Sequence, residues 1–381
     1  MALVRLLPAL PVDAHVILAE DGPLVTKLHE AGVSCEVLTL ERRSREFRRG
    51  DIRLSRLPIG VVAASSTYAF TLARRLRQLG PHLVHTNSLK SAVYGVLAGR
   101  LAGIPVICHI RDRVDSDSLP KWTASAVRLL IDNLSSGVVA NSANTMEALR
   151  LDRSRGSRWV VSSAINFDAL VISAKRRQPS PGLFRVAMVG RLAPWKGQDV
   201  FIRAFAEAFP DAGPANAVIV GSALFGENAY EARLKALIAD LGVGDRIEMI
   251  GFSNNIESIL QQVDCLVHAS VLPEPFGQVV AEGMAAGLPV IASDAGGPQE
   301  LISDGVSGLL YPTGDVTALA SALRRLQSDP ILAARLGRAA SQAVSDLTPA
   351  AVASKMMDVY MSVRSKIAPA SGSYDRDGGH R

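Results

Sequence analysis

Three cysteines in 381 residues, Cys35, Cys108 and Cys265, are too few and too scattered for a disulfide framework or a CxxC metal pair. Cys108 and Cys265 lie in apolar runs and read as small buried hydrophobes. The expected compartment is a reducing one, most simply the cytoplasm. No apolar run reaches the roughly 18–20 residues that a membrane-spanning helix needs. The opening MALVRLLPALPVDA has no charged leader and no clear small-residue cleavage site, and reads poorly as a signal peptide. Neither sign of charge is in large excess: 41 Lys and Arg stand against 36 Asp and Glu, a net of +5. Most of that excess is local. Residues 41–56, ERRSREFRRGDIRLSR, hold seven arginines against three acids, leaving 34 basic and 33 acidic residues elsewhere. A uniformly basic nucleic-acid binder is therefore excluded. The run reads either as a solvated loop or as a patch, with Arg42, Arg43, Arg45, Arg48 and Arg49, that makes a peripheral contact with anionic lipid headgroups or faces a phosphorylated acceptor. Internal repeats and heptads are also lacking.

What the chain does have is alternation. Short β-branched runs such as AHVILAE (14–20), LVHTN (83–87), IPVICHI (104–110) and GVVANS (137–142) are each followed by a helical stretch. The same pattern resumes with FRVAMVG (184–190), AVIVG (217–221), RIEMIG (246–251), DCLVHAS (264–270) and PVIAS (289–293). Alternating strands and helices predict βαβ units and parallel sheets, an α/β fold. Residues 173–182, SAKRRQPSPG, are rich in Pro, Ser and charge, as linkers are. The length suits two domains: a first over 1–172 and a second over 183–350. A closing helix over 351–366 is placed to cross back to the first domain, and the polar, glycine-rich 367–381 is expected to be disordered. Ligands of open α/β sheets bind beyond the carboxyl ends of the strands. The strand-to-helix turns are therefore where function is sought.

Two such turns carry chemistry. In VGRLAPWKGQD (189–199), Arg191 and Lys196 flank a turn into a helix. A guanidinium and an ammonium on one side of it could neutralise a diphosphate, or could be two solvated surface cations. In PEPFGQVVAEG (273–283), Gly277 opens a helix, and the N–H groups near Gly277, Gln278 and Val279 form an anion site. Glu282 lies five residues beyond Gly277, about 7–8 Å along the axis, the reach from a pyrophosphate to a ribose diol. Glu274 precedes the helix, on the side where a sugar would lie. On spacing alone, helix-dipole capping by Glu274 and a solvated Glu282 stay equally open.

Taken together, these residues resemble a known family. Glu274 and Glu282, with PFG and AAGLPVIASDAGG around them, resemble the E-x7-E signature of family 4 retaining glycosyltransferases of the GT-B fold. GRLAPWKG resembles that family's phosphate-binding segment, and Glu300, after Gly296-Gly297, its G-G-x-x-E loop. The resemblance implies two Rossmann-like parallel-sheet domains facing across a cleft. It implies a nucleotide-sugar donor as substrate, no cofactor and no metal, and transfer with retention at the anomeric carbon. Arg191 and Lys196 would hold the diphosphate, Phe276, Gly277, Gln278 and Val279 the helix-start contacts, Glu282 the ribose and Glu274 the sugar hydroxyls. Phe252 and Ile256, in GFSNNI, would flank the base. VHTNSLKSAVYG and PVICHIRD resemble the acceptor domain, where His109 would meet the donor sugar or reacting centre. His85 reads as structural, and Asp115-Ser116-Asp117 as a charged loop rather than a metal site.

The first domain departs from this pattern. No strand and glycine-rich turn precede MALVRLLPAL, so the chain is expected to start inside the first helix, without the family's first central strand. SSAINFDAL (162–170) stands where an Asn-Gly turn is usual. The expected acceptor is an envelope lipid, a polysaccharide or a small molecule. A non-catalytic nucleotide-sugar binder and an epimerase of the same fold are the competing readings.

Overall fold

The computed structural model describes residues 2–40, 59–114, 121–151, 156–175, 182–211, 213–224 and 226–367. The arginine-rich run with Arg42, Arg43, Arg45, Arg48 and Arg49, the Asp115-Ser116-Asp117 loop, most of the linker and nearly all of the polar tail lie outside them.

The first half of the chain runs α1 (Ala2–Leu6), a 3-10 turn at Leu7–Ala9, β1 (His15–Leu18), α2 (Pro23–Glu30), β2 (Ser34–Val37), α3 (Ile59–Leu79), β3 (Val84–Thr86), α4 (Leu89–Ala102), β4 (Val106–Ile110), α5 (Lys121–Leu134), β5 (Gly137–Ala140), α6 (Ala143–Ala148) and β6 (Ser157–Val160). The second runs α7 (Phe167–Lys175), β7 (Phe184–Val189), α8 (Gln198–Ala208), β8 (Ala215–Val220), α9 (Asn228–Asp240), β9 (Ile247–Gly251), α10 (Ile256–Leu260), β10 (Cys265–His268), α11 (Gln278–Ala285), β11 (Val290–Ser293), α12 (Pro298–Leu301), β12 (Leu309–Tyr311), α13 (Val316–Ser328), α14 (Pro330–Ala343) and α15 (Pro349–Ile367).

Every strand pairing is parallel, as the alternation predicts. The first half forms a four-stranded sheet, β3-β4-β5-β6, and a separate pair, β1-β2; among the described residues β1 pairs only with β2 and β3 only with β4. The second half forms a six-stranded sheet of order β12-β11-β10-β7-β8-β9. Its strand order reverses between β7 and β10, which pair directly (Val186↔Cys265, Ala187↔Leu266, Met188↔Val267). That junction is the topological switch point where such sheets open a crevice for ligands.

Both large sheets are buried on two faces, so their strands are near-continuous apolar runs. On the six-stranded sheet, Val186, Met188 and Val267 pack against Phe201 and Phe205 of α8 and Leu319 and Leu323 of α13. The opposite face, with Ala187, Leu266 and Val290, packs on Val280 and Met284 of α11. In the four-stranded sheet, Val106, Cys108 and Ile110 face α4 and α5. Ile107 and Val139 face the other way and are covered by Leu6 and Leu10 and by Val352 and Met356 of α15.

Two connections cross between the halves. The C-terminal α15 returns to the first sheet through those contacts. Ile165 and Leu170, inside the span 1–172 that the sequence reading gives the first domain, are buried in the core of the second. The chain enters the second core at Ile165 because the apolar Ile165, Phe167 and Leu170 fit the α10–α11 side of that core. The SAKRRQPSPG composition marks only the exposed stretch that follows. Two strands are absent from the sequence reading, β6 and β12. They are edge strands of four and three residues, and neither SRWV nor LLY carries the run of β-branched residues that marks the strands read from sequence.

Candidate active site

The two motif loops follow the two strands at the switch point. After β7, Gly190 leads through a 3-10 turn at Pro194–Lys196 to Gly197. Gly197 has φ +70°, and a Cβ there would lie 2.0 Å from the Ala269 carbonyl oxygen, so only glycine lets this loop sit against the end of β10. The Val271 N–H donates to the Trp195 carbonyl at 2.9 Å and ties the two loops together. After β10, Glu274 bridges to Gly296, and the Gly297 N–H donates to the Glu274 carbonyl at 2.7 Å. A Cβ at Gly297 would come within 2.4 Å of the Phe276 backbone, which explains the second glycine of that pair. Gly277, at φ +86°, caps α11 without any side-chain capping bond, so the first N–H groups of α11 carry no such partner.

This loop arithmetic brings Lys196 and Glu274 into contact. Lys196 Nζ donates to Glu274 Oε2 at 2.6 Å, and the two side chains are only 16% and 15% exposed. Ser270 Oγ also donates to Glu274 Oε2, at 3.2 Å, and His268 Nε2 lies 3.5 Å from the same oxygen. Burial pushes the Glu274 carboxyl up, but the His268 hydrogen bond and the Lys196 charge outweigh it and hold the pKa at about 2. Glu274 is thus a fixed carboxylate at the mouth of the switch point. Nothing local in the sequence marks His268, at the end of β10, or Ser270 as carboxylate partners.

Arg191 lies in the same loop, its carbonyl accepting from Gln198 Nε2 at 2.9 Å. One turn into α11, Glu282 accepts from Gln278 Nε2 at 3.1 Å and from Arg5 Nη1 at 2.9 Å. Arg5 comes from α1, 277 residues away, and its role had no signal in the sequence. Phe252 is exposed (69%) beside Gly251, at the end of β9, with Ile256 at the start of α10. Phe276 differs from the expectation: its side chain is buried in the core with Val280 and Met284, so it can offer the crevice only its backbone. A second groove, about 690 Å³, is lined by Arg185, Asn216, Arg246 and Glu248 at the amino ends of β7–β9, away from these residues.

Across from the second sheet, His109 is the penultimate residue of β4 and almost wholly buried (1% exposed). Its Nδ1 lies 3.1 Å from Nε2 of His85, whose Nδ1 lies 2.6 Å from the Tyr360 hydroxyl on α15. His85, read from sequence as structural, is in direct contact with the candidate catalytic histidine. Burial, with Arg111 nearby, holds His85 at about 4 and His109 well below its ordinary range, so both rings are neutral at pH 7. Arg111 itself is held by Asn87 and Ser163. Closer to the second domain, the Glu300 carboxylate accepts from the Ala143 and Asn144 N–H groups at 2.8 and 2.6 Å, and Thr145 Oγ1 donates to the Pro275 carbonyl at 3.0 Å. The Glu274 loop is therefore docked on the start of α6. Among the described residues there is no group of three or more His, Cys, Asp or Glu spaced to hold a metal ion, and no helix long and apolar enough to cross a membrane.

Residues 22–164 match the glycosyl transferase 4-like domain, and residues 173–343 match the glycosyl transferases group 1 family. The chain is 32% identical over 277 residues to a GDP-mannose-dependent alpha-mannosyltransferase of Mycobacterium tuberculosis, covering 69% of this chain and 67% of that protein. It is 29% identical to a D-inositol 3-phosphate glycosyltransferase of Streptomyces avermitilis, over 73% of this chain and 64% of that one. An exopolysaccharide phosphotransferase of Streptomyces coelicolor matches at 36% identity over 41% of this chain but only 16% of its own length. The last two matches thus span less than two thirds of those proteins. Among solved structures, Anabaena HepE in complex with UDP-glucose superposes with a TM-score of 0.80 at 26% identity, covering 95% of both chains. A glycosyltransferase of Rickettsia africae shares the fold at a TM-score of 0.75. By these matches and by its two parallel-sheet halves, the chain belongs to the GT-B glycosyltransferases of the family 4 type.

Proposed function

We propose that the protein transfers a sugar from a nucleoside-diphosphate-sugar to an envelope lipid, a polysaccharide or a small-molecule acceptor, with retention at the anomeric carbon and without a metal. The second domain, 183–350, binds the donor, and the first, 1–172, binds the acceptor. The observation that carries this reading is the meeting of Lys196 and Glu274 at the β7–β10 switch point. A cation and a fixed carboxylate there match a ligand with an anionic diphosphate at one end and hydroxyls at the other.

In this reading the diphosphate lies over the start of α11, held by Arg191, Lys196 and the N–H groups of Gly277, Gln278 and Val279. Glu282 accepts the ribose hydroxyls, Glu274 accepts the sugar hydroxyls, and the base lies against Phe252 and Ile256. His109 meets the donor sugar from the first domain. The acceptor oxygen bonds to the anomeric carbon while the carbon–phosphate oxygen bond breaks. The diphosphate leaves with the electron pair, and the acceptor's proton ends on a phosphate oxygen. Charge grows on the diphosphate as that bond breaks, so cations fixed beside it favour the transition state over the ground state. The fixed cations supply the charge stabilisation that a metal ion supplies elsewhere.

UDP-glucose in the HepE structure and the GDP-mannose dependence of the mycobacterial relative make these two the first donors to try. The protein is screened by thermal shift with UDP-, GDP-, ADP- and dTDP-sugars, and stabilising donors are then tested for hydrolysis and transfer with and without EDTA. Binding raises the melting temperature as the logarithm of ligand over Kd. Turnover that EDTA leaves intact and a product of the donor's own anomeric configuration are expected; an inverted product or metal-dependent turnover overturns the respective part. Cosedimentation with phosphatidylserine vesicles tests the peripheral contact through the arginine-rich run.

A further inference from the structure

His109 presents a problem of hydrogen accounting. It is buried and neutral, its Nδ1 is engaged by His85, and its Nε2 has no hydrogen-bond partner among the described residues. A buried ring nitrogen without a partner is a standing cost of about 1–3 kcal/mol, and such groups in native structures call for an explanation. Which face Nε2 shows a ligand, an N–H or a lone pair, depends on where the single ring proton sits. That is settled two residues away.

The Tyr360 hydroxyl has one partner among the described residues, His85 Nδ1. The phenol is largely buried, and burial pushes its pKa up, so it keeps its proton. Were His85 Nδ1 protonated and donating, the phenol's own hydrogen would have no partner among the described residues. A hydrogen running from Tyr360 Oη to His85 Nδ1 gives it one. His85, neutral, then carries its proton on Nε2 and donates to His109 Nδ1 at 3.1 Å. His109, also neutral, is left with its proton on Nε2. The three side chains come from β3, β4 and α15, and Tyr360 is 275 residues from His85 in the chain.

We propose that Tyr360 and His85 are positioning residues that fix His109 as an Nε2–H donor, poised for an oxygen of the donor sugar or its diphosphate. The identity of that oxygen rests on the proposed function; the direction of the relay does not. His109 is then neither a base nor a cation in the reaction. It supplies a hydrogen bond whose direction is set before the ligand arrives, so no reorientation accompanies binding. The C-terminal helix, which follows the whole donor domain in sequence, is thereby part of the first domain's site.

The test uses the full chain with 15N-labelled histidine and long-range 1H–15N correlation, which distinguishes the two imidazole tautomers. The wild-type protein is expected to show His109 protonated on Nε2. Tyr360→Phe keeps the ring and removes the hydroxyl, so His109 should move to a mixture of tautomers. Turnover of UDP-glucose or GDP-mannose, whichever the wild type hydrolyses, should fall about tenfold in kcat/KM, the loss of one hydrogen bond of about 1.4 kcal/mol. His85→Gln, whose amide can accept from Tyr360 and donate to His109 Nδ1, should keep a single tautomer, and adding Tyr360→Phe to it should lose that tautomer again. A wild-type His109 protonated on Nδ1 overturns the relay. So does a Tyr360→Phe protein with unchanged spectra, or a double variant that keeps the single tautomer. If neither donor is turned over, the proposed function fails while the spectra still decide the relay.

Discussion

Lys196→Ala tests the centre of the site through two independent readouts. The pair it breaks is 2.6 Å long between side chains 16% and 15% exposed. Removing one partner leaves a mostly buried carboxylate with only His268 and Ser270 for support. The scale of that support can be set from the carboxyl itself. A glutamate that titrates at 4.5 in solution titrates at about 2 here. At about 1.4 kcal/mol per pKa unit, the environment of Glu274 contributes about 3 kcal/mol in its ionised form. Because the folded pKa is depressed, that contribution is fully present above about pH 4.5 and is lost as pH falls toward 2. Lys196→Ala should remove a large part of it, about 2 kcal/mol at pH 7, short of the 3–5 seen when fully buried pairs are broken. Urea unfolding at a series of pH values measures this directly. The wild type should lose stability steeply between pH 4.5 and its acid limit. The variant should start lower at pH 7 and fall less across that window, since its Glu274 titrates nearer the solution value. Donor hydrolysis should be abolished in the same protein while its circular dichroism stays native. A variant as stable as wild type with an identical acid profile refutes the electrostatic account of Glu274. Unchanged hydrolysis refutes the role of Lys196 on the diphosphate.

Other perturbations follow from the same contacts. Arg5→Ala frees Glu282 from a partly exposed ion pair of the kind worth about 0.2–1 kcal/mol, so nucleotide Kd should tighten by up to about fivefold; isothermal titration reads it, and weaker binding would mean Arg5 itself holds the nucleotide. Gly197→Ala places a methyl carbon against the Ala269 carbonyl oxygen in a left-handed conformation and should cost more than about 2 kcal/mol in urea unfolding, because backbone rather than a flexible side chain is in the way. Glu300→Ala removes the carboxylate that accepts from the start of α6 and should raise the KM for donor, with a stability change of about 1 kcal/mol; a kcat loss at unchanged KM would contradict a docking role. Glu274→Gln should abolish hydrolysis without unfolding the protein, as the amide keeps the shape but not the charge.

What the sequence made legible was local. The β7 and β10 turns carry their chemistry within a dozen residues each, and the period of strand and helix around them is strong enough to place both at strand ends. Their convergence was inferred from resemblance, and the strand order of the six-stranded sheet supplies the physical reason. What was not legible came from far along the chain or from residues with no period of their own. Arg5 reaches Glu282 across 277 positions and Tyr360 reaches His85 across 275, and no local pattern encodes either meeting. The burial of Ile165 in the second core is hidden for a related reason: a charged linker is visible in composition, whereas that entry depends on a fit that only packing reveals.

The sequence also kept apart two roles that the structure joins. The motifs assign Lys196 to phosphate and Glu274 to sugar, yet in the structure each is the other's partner. A diphosphate that draws Lys196 away takes the nearest cation from a carboxylate held at about 2, and a carboxylate so placed must find other hydrogens or pay its desolvation. Under the proposed function those hydrogens are the hydroxyls of the sugar attached to the same diphosphate. A bare nucleoside diphosphate offers the phosphate half of the exchange without the sugar half. The intact donor should therefore bind more tightly than the nucleotide alone, and Glu274→Gln, which has no charge to compensate, should narrow that difference. Competition titrations of UDP against UDP-glucose, or of GDP against GDP-mannose, measure both terms. Glu282→Gln, whose ribose contact is common to both ligands, should weaken both and leave the difference unchanged; an equal narrowing there would break the link between Lys196 and Glu274.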